Sequence, residues 1–370
     1  MKPLGALLFA CSLLAPPPQE GQGTNRLKLP LTPGAFRKGQ FRAGYDFQAD
    51  PPLKAWTATV GKEVFHFFDM DEDGALTVEK DGLAIPGAPF VVPIPDVLLT
   101  RAGQFDVAFS ETTRLELTPH DLGRWQPVAQ ETALLTTLRI QAGVRPARFD
   151  SKASSDCEKH CDYIKLNGGS GMSLHDEDPK KKGYTPEGAA AGKGSDIDPR
   201  STDAKSSIMG WYQSVWHRAP MVRSNLRTFG FAIKHGIGLL YFFERSGGGE
   251  RDQLHPPDGA LGAPISFDPA GEMPNPVPGS DYGKGCGFPV IALLRDTQAE
   301  LTKATVTDPS GRPVKGTQSC PVRPANPQWP SNSGCAAFIP AKPLSMNATY
   351  KARFEFKNSA PLEWSFATGR

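Results

Sequence analysis

Between about Asn25 and Trp125, apolar and polar residues alternate in short runs such as Glu63-Val64-Phe65-His66-Phe67-Phe68 and Phe105-Asp106-Val107-Ala108-Phe109, separated by Gly and Pro clusters. A period of two with that punctuation predicts β-strands. From Pro127 to Gly143 the period turns helical, with Leu134, Leu135, Leu138 and Ala142 on one face and Gly143 as the stop. A second helix is predicted over 151–166, where Ala153, Cys157, His160, Cys161 and Ile164 form a stripe ahead of Asn167-Gly168-Gly169. A third opens at Asp203, a good N-cap, and carries Ile208, Trp211, Tyr212 and Val215. Residues 228–233 and 239–243 read as two strands, and Ser246-Gly247-Gly248-Gly249 as a linker. Beyond Leu254 the chain is Pro-rich and β-like again, with Thr305-Val306-Thr307, Tyr350-Lys351-Ala352-Arg353-Phe354 and Trp364-Ser365-Phe366 as short strands.

Composition sharpens this order of elements. The 38 Gly and 36 Pro make up a fifth of the 370 residues, against an average near 12%, which excludes a chain built mainly of long helices. The formal charge of +2 supplies no basic field, so nucleic acid is not an expected partner. The expected fold class is α+β: a helical middle block with some strand, flanked by two β modules. The boundaries drawn are 1–22 for a signal peptide, 23–126 for a β-rich N-terminal domain, 127–246 for the middle domain and 247–370 for a small β-sandwich.

The signal is read from Lys2, the apolar run from Leu4 to Ala15 and three prolines after it. The run is shorter than the roughly 20 residues a membrane helix needs, and no later segment reaches that length. Export is the expectation, to the medium, the cell surface or the periplasm. Leu8-Phe9-Ala10-Cys11 offers an alternative, a lipid-attachment box that would anchor the protein through Cys11. Without Cys11 five cysteines remain, an odd number that leaves at least one thiol free or shared between chains. Cys320 and Cys335 bracket a loop that a disulfide would restrict, whereas Cys157 and Cys161 on a helical stripe read as small buried apolar groups.

The order of features in the middle block resembles the CAP superfamily of cysteine-rich secretory, antigen five and pathogenesis-related proteins, including bacterial secreted members. Leu138-Arg139-Ile140-Gln141-Ala142-Gly143-Val144-Arg145-Pro146 is similar to that family's first helix and following loop. Cys157-Glu158-Lys159-His160-Cys161-Asp162-Tyr163 is similar to its second helix, and Leu174-His175 to its first cavity histidine. Pro186-Glu187-Gly188 stands where the family usually has a Gly-Glu-Asn turn. The most specific piece is Trp211-Tyr212-Gln213-Ser214-Val215-Trp216-His217-Arg218, which resembles the bacterial Trp-x-x-Ser-x-x-His-Arg pattern, followed by Thr228-Phe229-Gly230-Phe231-Ala232. The resemblance covers roughly 127–245. It implies a central α-β-α sandwich with a surface cleft holding His175, Glu187 and His217, with Ser214 beside them.

Two imidazoles and a carboxylate are a sensible zinc set, with His175 and His217 as ligands and Glu187 as third ligand or as the base that orients a water. The plain alternative is a polar clamp that fastens loops to the core. His160, on the inner stripe, reads as a satisfied core histidine. His66, His120, His235 and His255 have no partners in the pattern. Ser214 and His217 lack a nucleophile elbow and an orienting Asp, so no catalytic residue is assigned. His175-Asp176-Glu177-Asp178 and the lysines after it read as a solvated loop. In the N-terminal block, Asp69, Asp71 and Asp73 with Gly74 begin like a calcium loop, although Lys80 stands where a bidentate Glu belongs; Glu79 is a substitute, and an ion-free turn is the alternative. Leu344 to Tyr350 and the closing Trp364-Ser365-Phe366-Ala367-Thr368 resemble bacterial Ig-like sandwich domains. Three functional readings follow: a non-enzymatic exported module binding a small apolar or cell-surface ligand, a metal-dependent hydrolase using His175, Glu187 and His217, and a passive surface spacer.

Overall fold

The computed structural model describes residues 26–110, 114–245, 252–279, 282, 285–327 and 334–369. The signal segment with Cys11 and the Ser246–Gly249 linker lie outside the described residues. The mixture of helices and strands over several separate sheets is an α+β fold.

Two antiparallel sheets lead the described chain. One runs Thr32–Ala35, Lys54–Val60, Glu63–Phe68, Gly82–Ala84, Phe90–Pro93 and Arg42–Ala43, the last pair parallel; the other runs Leu27–Pro30, Arg114–Pro119, Gly103–Phe109 and Val97–Thr100. The inward set of the alternation, Trp56, Ala58, Phe65 and Phe67 from one sheet and Leu98, Phe105, Val107, Leu115 and Leu117 from the other, forms one buried cluster. Alternation therefore gives each sheet one face for the core.

The middle block contains six helices, α1 Gln126–Thr132, α2 Leu134–Gln141, α3 Ser151–Asn167, α4 Pro186–Lys193, α5 Ala204–Gln213 and α6 Arg218–Val222. The single helix expected over 127–143 is two, because Ala133 bends the chain at φ −56°, ψ −18° and the Thr132 hydroxyl donates to the Ala129 carbonyl at 2.9 Å. The starts of α3, α4 and α5 are local caps: Asp150 accepts from the Ala153 amide, Thr185 from Gly188 and Asp203 from Ser206. The sheet has the order Arg148–Phe149, Leu226–Lys234, Ile237–Arg245, Ser195–Asp198.

Alternate residues of Leu226–Lys234 face opposite layers. Phe229 meets Phe149, and Phe231 meets Trp211 of α5, each at an edge-on angle. On the other face Gly230 lies against α3 so closely that a Cβ there would come within 2.5 Å of the Ala153 carbonyl carbon and 2.6 Å of the Ser154 amide. Helices thus cover both sides of the sheet. Gly230→Ala should force helix and strand apart and lower stability by roughly 1–3 kcal/mol; a urea midpoint unchanged from the parent would contradict that packing.

The final block has two facing four-stranded sheets and a two-stranded ribbon, Ser266–Phe267 with Cys286–Gly287. One of the facing sheets has the order Gln253–His255, Val290–Leu293, Cys335–Pro340, Gly316–Ser319; the other Ala260–Ala263, Leu362–Thr368, Thr349–Phe356, Leu301–Thr307, with the first pair parallel. Val290, Ala292, Ala336 and Phe338 pack against Val306, Phe354, Trp364 and Phe366 between them. The middle block is tied to its neighbours. Gln104 exchanges two hydrogen bonds with the Phe149 backbone, at 2.7 and 3.1 Å, while the hydroxyl of Tyr45 does the same with Leu254 and so joins the two flanking blocks to each other.

All five described cysteines are free and buried, including Cys320 and Cys335. Burial pushes the Cys161 and Cys335 thiols up to about 12, so they act as small apolar groups.

Candidate functional site

His175 closes a short helical turn, Gly171–His175, and its Nδ1 donates to the Gly192 carbonyl on α4 at 2.9 Å. Gly192 itself lies flush against the His160 ring, where a Cβ would come within 2.2 Å of Cε1. His217 arrives from the other side, between the end of α5 and α6. Ser214 terminates α5, its hydroxyl donating to the Trp211 carbonyl at 2.9 Å, and its Oγ is 3.4 Å from His217 Nδ1. His175, Ser214 and His217 line one hollow of about 460 Å³.

The far wall comes from outside the middle block. Phe267, Asp268, Gly271, Glu272 and Met273 complete the lining. Glu272 is 2% exposed, and its carboxylate accepts the Val215 and Trp216 amides at 2.9 and 2.5 Å. It also faces His217 Nδ1 at 3.3 Å. Burial works against the His217 charge, but the hydrogen bond to Glu272 and the charges of Asp196 and Glu272 outweigh it and raise the ring to about 9. His175 moves the other way: burial, with the nearby His217 and His160, lowers it against the help of the Gly192 carbonyl. At neutral pH the hollow therefore holds one imidazolium and one neutral imidazole.

Glu187 is not in this lining. It sits in the first turn of α4, half-exposed, 3.5 Å from Lys159. The carboxylate that meets a histidine nearby is Glu177, fully buried against His160 Nδ1 at 2.8 Å and accepting the Thr185 amide at 3.1 Å. The loop expected to be solvated is so only in part: Asp176, Asp178 and Lys180 are exposed, whereas Glu177 turns inward. His160 spends its second nitrogen on the Leu174 carbonyl at 2.7 Å. Neither Glu177 nor Glu272 was legible as a partner. One lies in a charge run, the other 55 residues beyond His217 in a Gly- and Pro-rich segment.

The outlying histidines have partners too: His66 with Thr57, His120 with Asp106 and His235 with Asp162. Among the described residues, the group of three or more metal-donor side chains converging within 4.8 Å is Asp69, Asp71 and Asp81. His175, Glu187 and His217 thus do not fit a shared zinc ion, since one is remote and another is ion-paired.

The family model for the cysteine-rich secretory protein family, CAP, matches residues 132–243. Residues 132–243 thus carry a CAP domain. No curated protein matches the chain. A similar solved structure is an extracellular protein containing an SCP domain from Bacillus anthracis strain Ames, 12% identical, covering 52% of this chain and 82% of that one at a TM-score of 0.27. In the CAP domain, Ser214, His217 and Arg218 engage different partners. Ser214 ends α5, His217 pairs with Glu272, and the buried Arg218 reaches further, donating to the Pro289 carbonyl at 2.5 Å with its guanidinium 4.2 Å over the Phe288 ring. His217 and Arg218 fasten the CAP domain to the chain that follows it, while Ser214 bonds within the domain. No described helix is long and apolar enough to cross a membrane.

Proposed function

We propose that the protein is exported and that its CAP domain works as a non-enzymatic binding module, taking a small, largely apolar ligand in the hollow between His175 and His217. The carrying observation is the hollow itself, about 460 Å³ with Leu174, Ile197, Trp211, Phe267 and Met273 beside the two imidazoles, while the Ser214 hydroxyl and His217 Nδ1 are already engaged. The Ser214 proton goes to a carbonyl and His217 Nδ1 to Glu272, so neither is poised to activate a nucleophile. Export is read from the opening sequence, with the anchor at Cys11 as its variant. The domain divisions proposed are 23–126, 127–246 and 247–370.

The last of these is read as an Ig-like spacer or adhesive module. Its sheet orders correspond to the ABED and GFC pattern of Ig folds. Tyr350, at the start of its penultimate strand, accepts the Ser345 amide on its hydroxyl at 2.8 Å, as a tyrosine corner does.

Native purification from the expressing cells, followed by lipid extraction and mass spectrometry, tests the ligand. Gly210 lines the hollow, and a Cβ there meets nothing within 4 Å. Gly210→Leu should fill the space, keep or slightly raise Tm through better helix propensity, and reduce co-purified ligand at least tenfold. Clean extracts from both proteins would end the binding reading. The metal-dependent hydrolase has its own check: calorimetric zinc binding that is lost in His175→Ala and His217→Ala would revive it.

A further inference from the structure

The N-terminal sheet carries a second cluster, unconnected with the CAP hollow. Strands Glu63–Phe68 and Gly82–Ala84 pair with Phe68 opposite Gly82. That register puts Asp69 and Asp81 one step beyond the last pair, facing each other across the mouth of a thirteen-residue excursion. Both are buried, at 3% and 0% exposure. Like charges opposed across a ladder repel, and burial strengthens the repulsion. Asp71 adds a third carboxylate, exposed at the surface, and one oxygen from each of the three lies within 4.8 Å of the others.

The hydrogen bonds of the loop leave this cluster incomplete. Asp81 is satisfied by the Met70 and Thr77 amides at 2.8 and 2.7 Å and by the Thr77 hydroxyl at 3.1 Å. Asp69 Oδ2 accepts the Gly74 amide at 2.9 Å, but its Oδ1 is buried with no hydrogen-bond partner. A buried carboxylate oxygen without a donor is expensive to hold. A cation supplies what is missing. We propose that Asp69, Asp71 and Asp81 bind a divalent cation of the calcium type, which closes the mouth of this hairpin.

The donor set favours that class. Three carboxylates with no His or Cys suit calcium, magnesium or manganese over zinc, and calcium tolerates the irregular geometry of a loop, completing its six to eight ligands with carbonyls and water. The membership differs from the sequence expectation. Asp73 is outside the group, its Oδ1 accepting the Ala75 amide at 2.8 Å, and Glu79 is taken by the Arg145 guanidinium. Asp81 replaces both, one position past the end of the twelve-residue template.

The test uses the full chain, stripped with EDTA, desalted and titrated with calcium chloride by calorimetry and thermal melting. Saturable binding is expected with Kd of roughly 10⁻⁴–10⁻³ M, as in extracellular calcium modules, together with a rise in Tm at 10 mM calcium. Asp71→Asn, exposed and free of structural duties toward Asp69 and Asp81, should weaken binding at least tenfold; Asp73→Asn should stay within twofold. Asp69→Asn keeps an oxygen for Gly74, so it should raise Tm in EDTA while abolishing the calcium response. No saturable heat and an unmoved Tm in the parent would overturn the site, as would an Asp71→Asn variant that binds like the parent.

Discussion

Replacing Arg139 with Met should lower the unfolding free energy by roughly 3–5 kcal/mol, the range for removing one member of a buried charged network. Arg139 is completely buried. It donates from Nε to the Arg145 carbonyl at 2.9 Å, from Nη1 to Met221 and Arg223 at 2.6 and 3.1 Å, and from Nη2 to Leu226 at 3.1 Å. These acceptors belong to the loop after α2 and to the turn joining α6 to the strand Leu226–Lys234. One planar fork therefore reaches four carbonyls from two separate segments, of which the Arg223 carbonyl also accepts the Leu226 amide at 3.3 Å. Burial pulls its ionisation down to about 9 against the charge of Asp46, which leaves it charged at neutral pH. Met fills much of the volume but strands the carbonyls. Lys should recover only part of the loss, because a single ammonium cannot match the fork. Urea midpoints and Tm for both variants decide the matter: a Met variant within about 1 kcal/mol of the parent would mean that the four bonds are structurally idle.

Arg139 also marks where sequence reading succeeds and where it stops. It belongs to a helix-and-loop resemblance, yet nothing in its neighbourhood names three of its four partners, which lie 82, 84 and 87 residues away. Local signals fared better. Asp203 caps its helix as expected, because a short carboxylate before an apolar stripe has one local use. The strand Glu63–Phe68 appears with the bounds its alternation suggests, because one sheet face is core.

The site was legible in part for the same reason. His175, Ser214 and His217 reach one hollow because the turn Gly171–His175, the end of α5 and the start of α6 fix their positions. Which carboxylate joins them depends on loop paths. Glu187 stands in a Pro-Glu-Gly helix start that looks apt for the role, and the first turn of α4 carries it to the surface beside Lys159. Glu177 looks like one charge among several, and the turn ending at His175 folds it under α3. Glu272 is further still from any local signal. Its segment is a single 3-10 turn, Pro269–Gly271, whose only periodic feature is the Asp268 cap.

Removing the charge of Glu272 should release His217. In the parent, NMR titration of the His217 ring is expected near 9; in Glu272→Gln, burial is opposed by Asp196 alone, and the value should drop to 6.5 or below. Val215 donates to Oε2 and Trp216 to Oε1 of Glu272, so the single oxygen of Gln keeps one of these backbone bonds and loses the other. The consequence for stability has a definite sign. A folded-state value above the unfolded 6.5 means that the native protein holds a proton the unfolded chain has released. The stabilisation is complete below pH 6.5 and disappears as pH climbs through about 9, a span equivalent to roughly 3 kcal/mol at 1.36 kcal/mol per pH unit. His175 and the buried His255, both held low chiefly by burial, act in the opposite direction and withdraw stability as pH falls below 6.5. The parent should therefore be most stable near neutrality and decline on both sides. In Glu272→Gln the acid limb should remain while the alkaline limb flattens. An alkaline limb equally steep in the two proteins would show that the ion pair between the CAP domain and the Gly-rich segment does not hold them together.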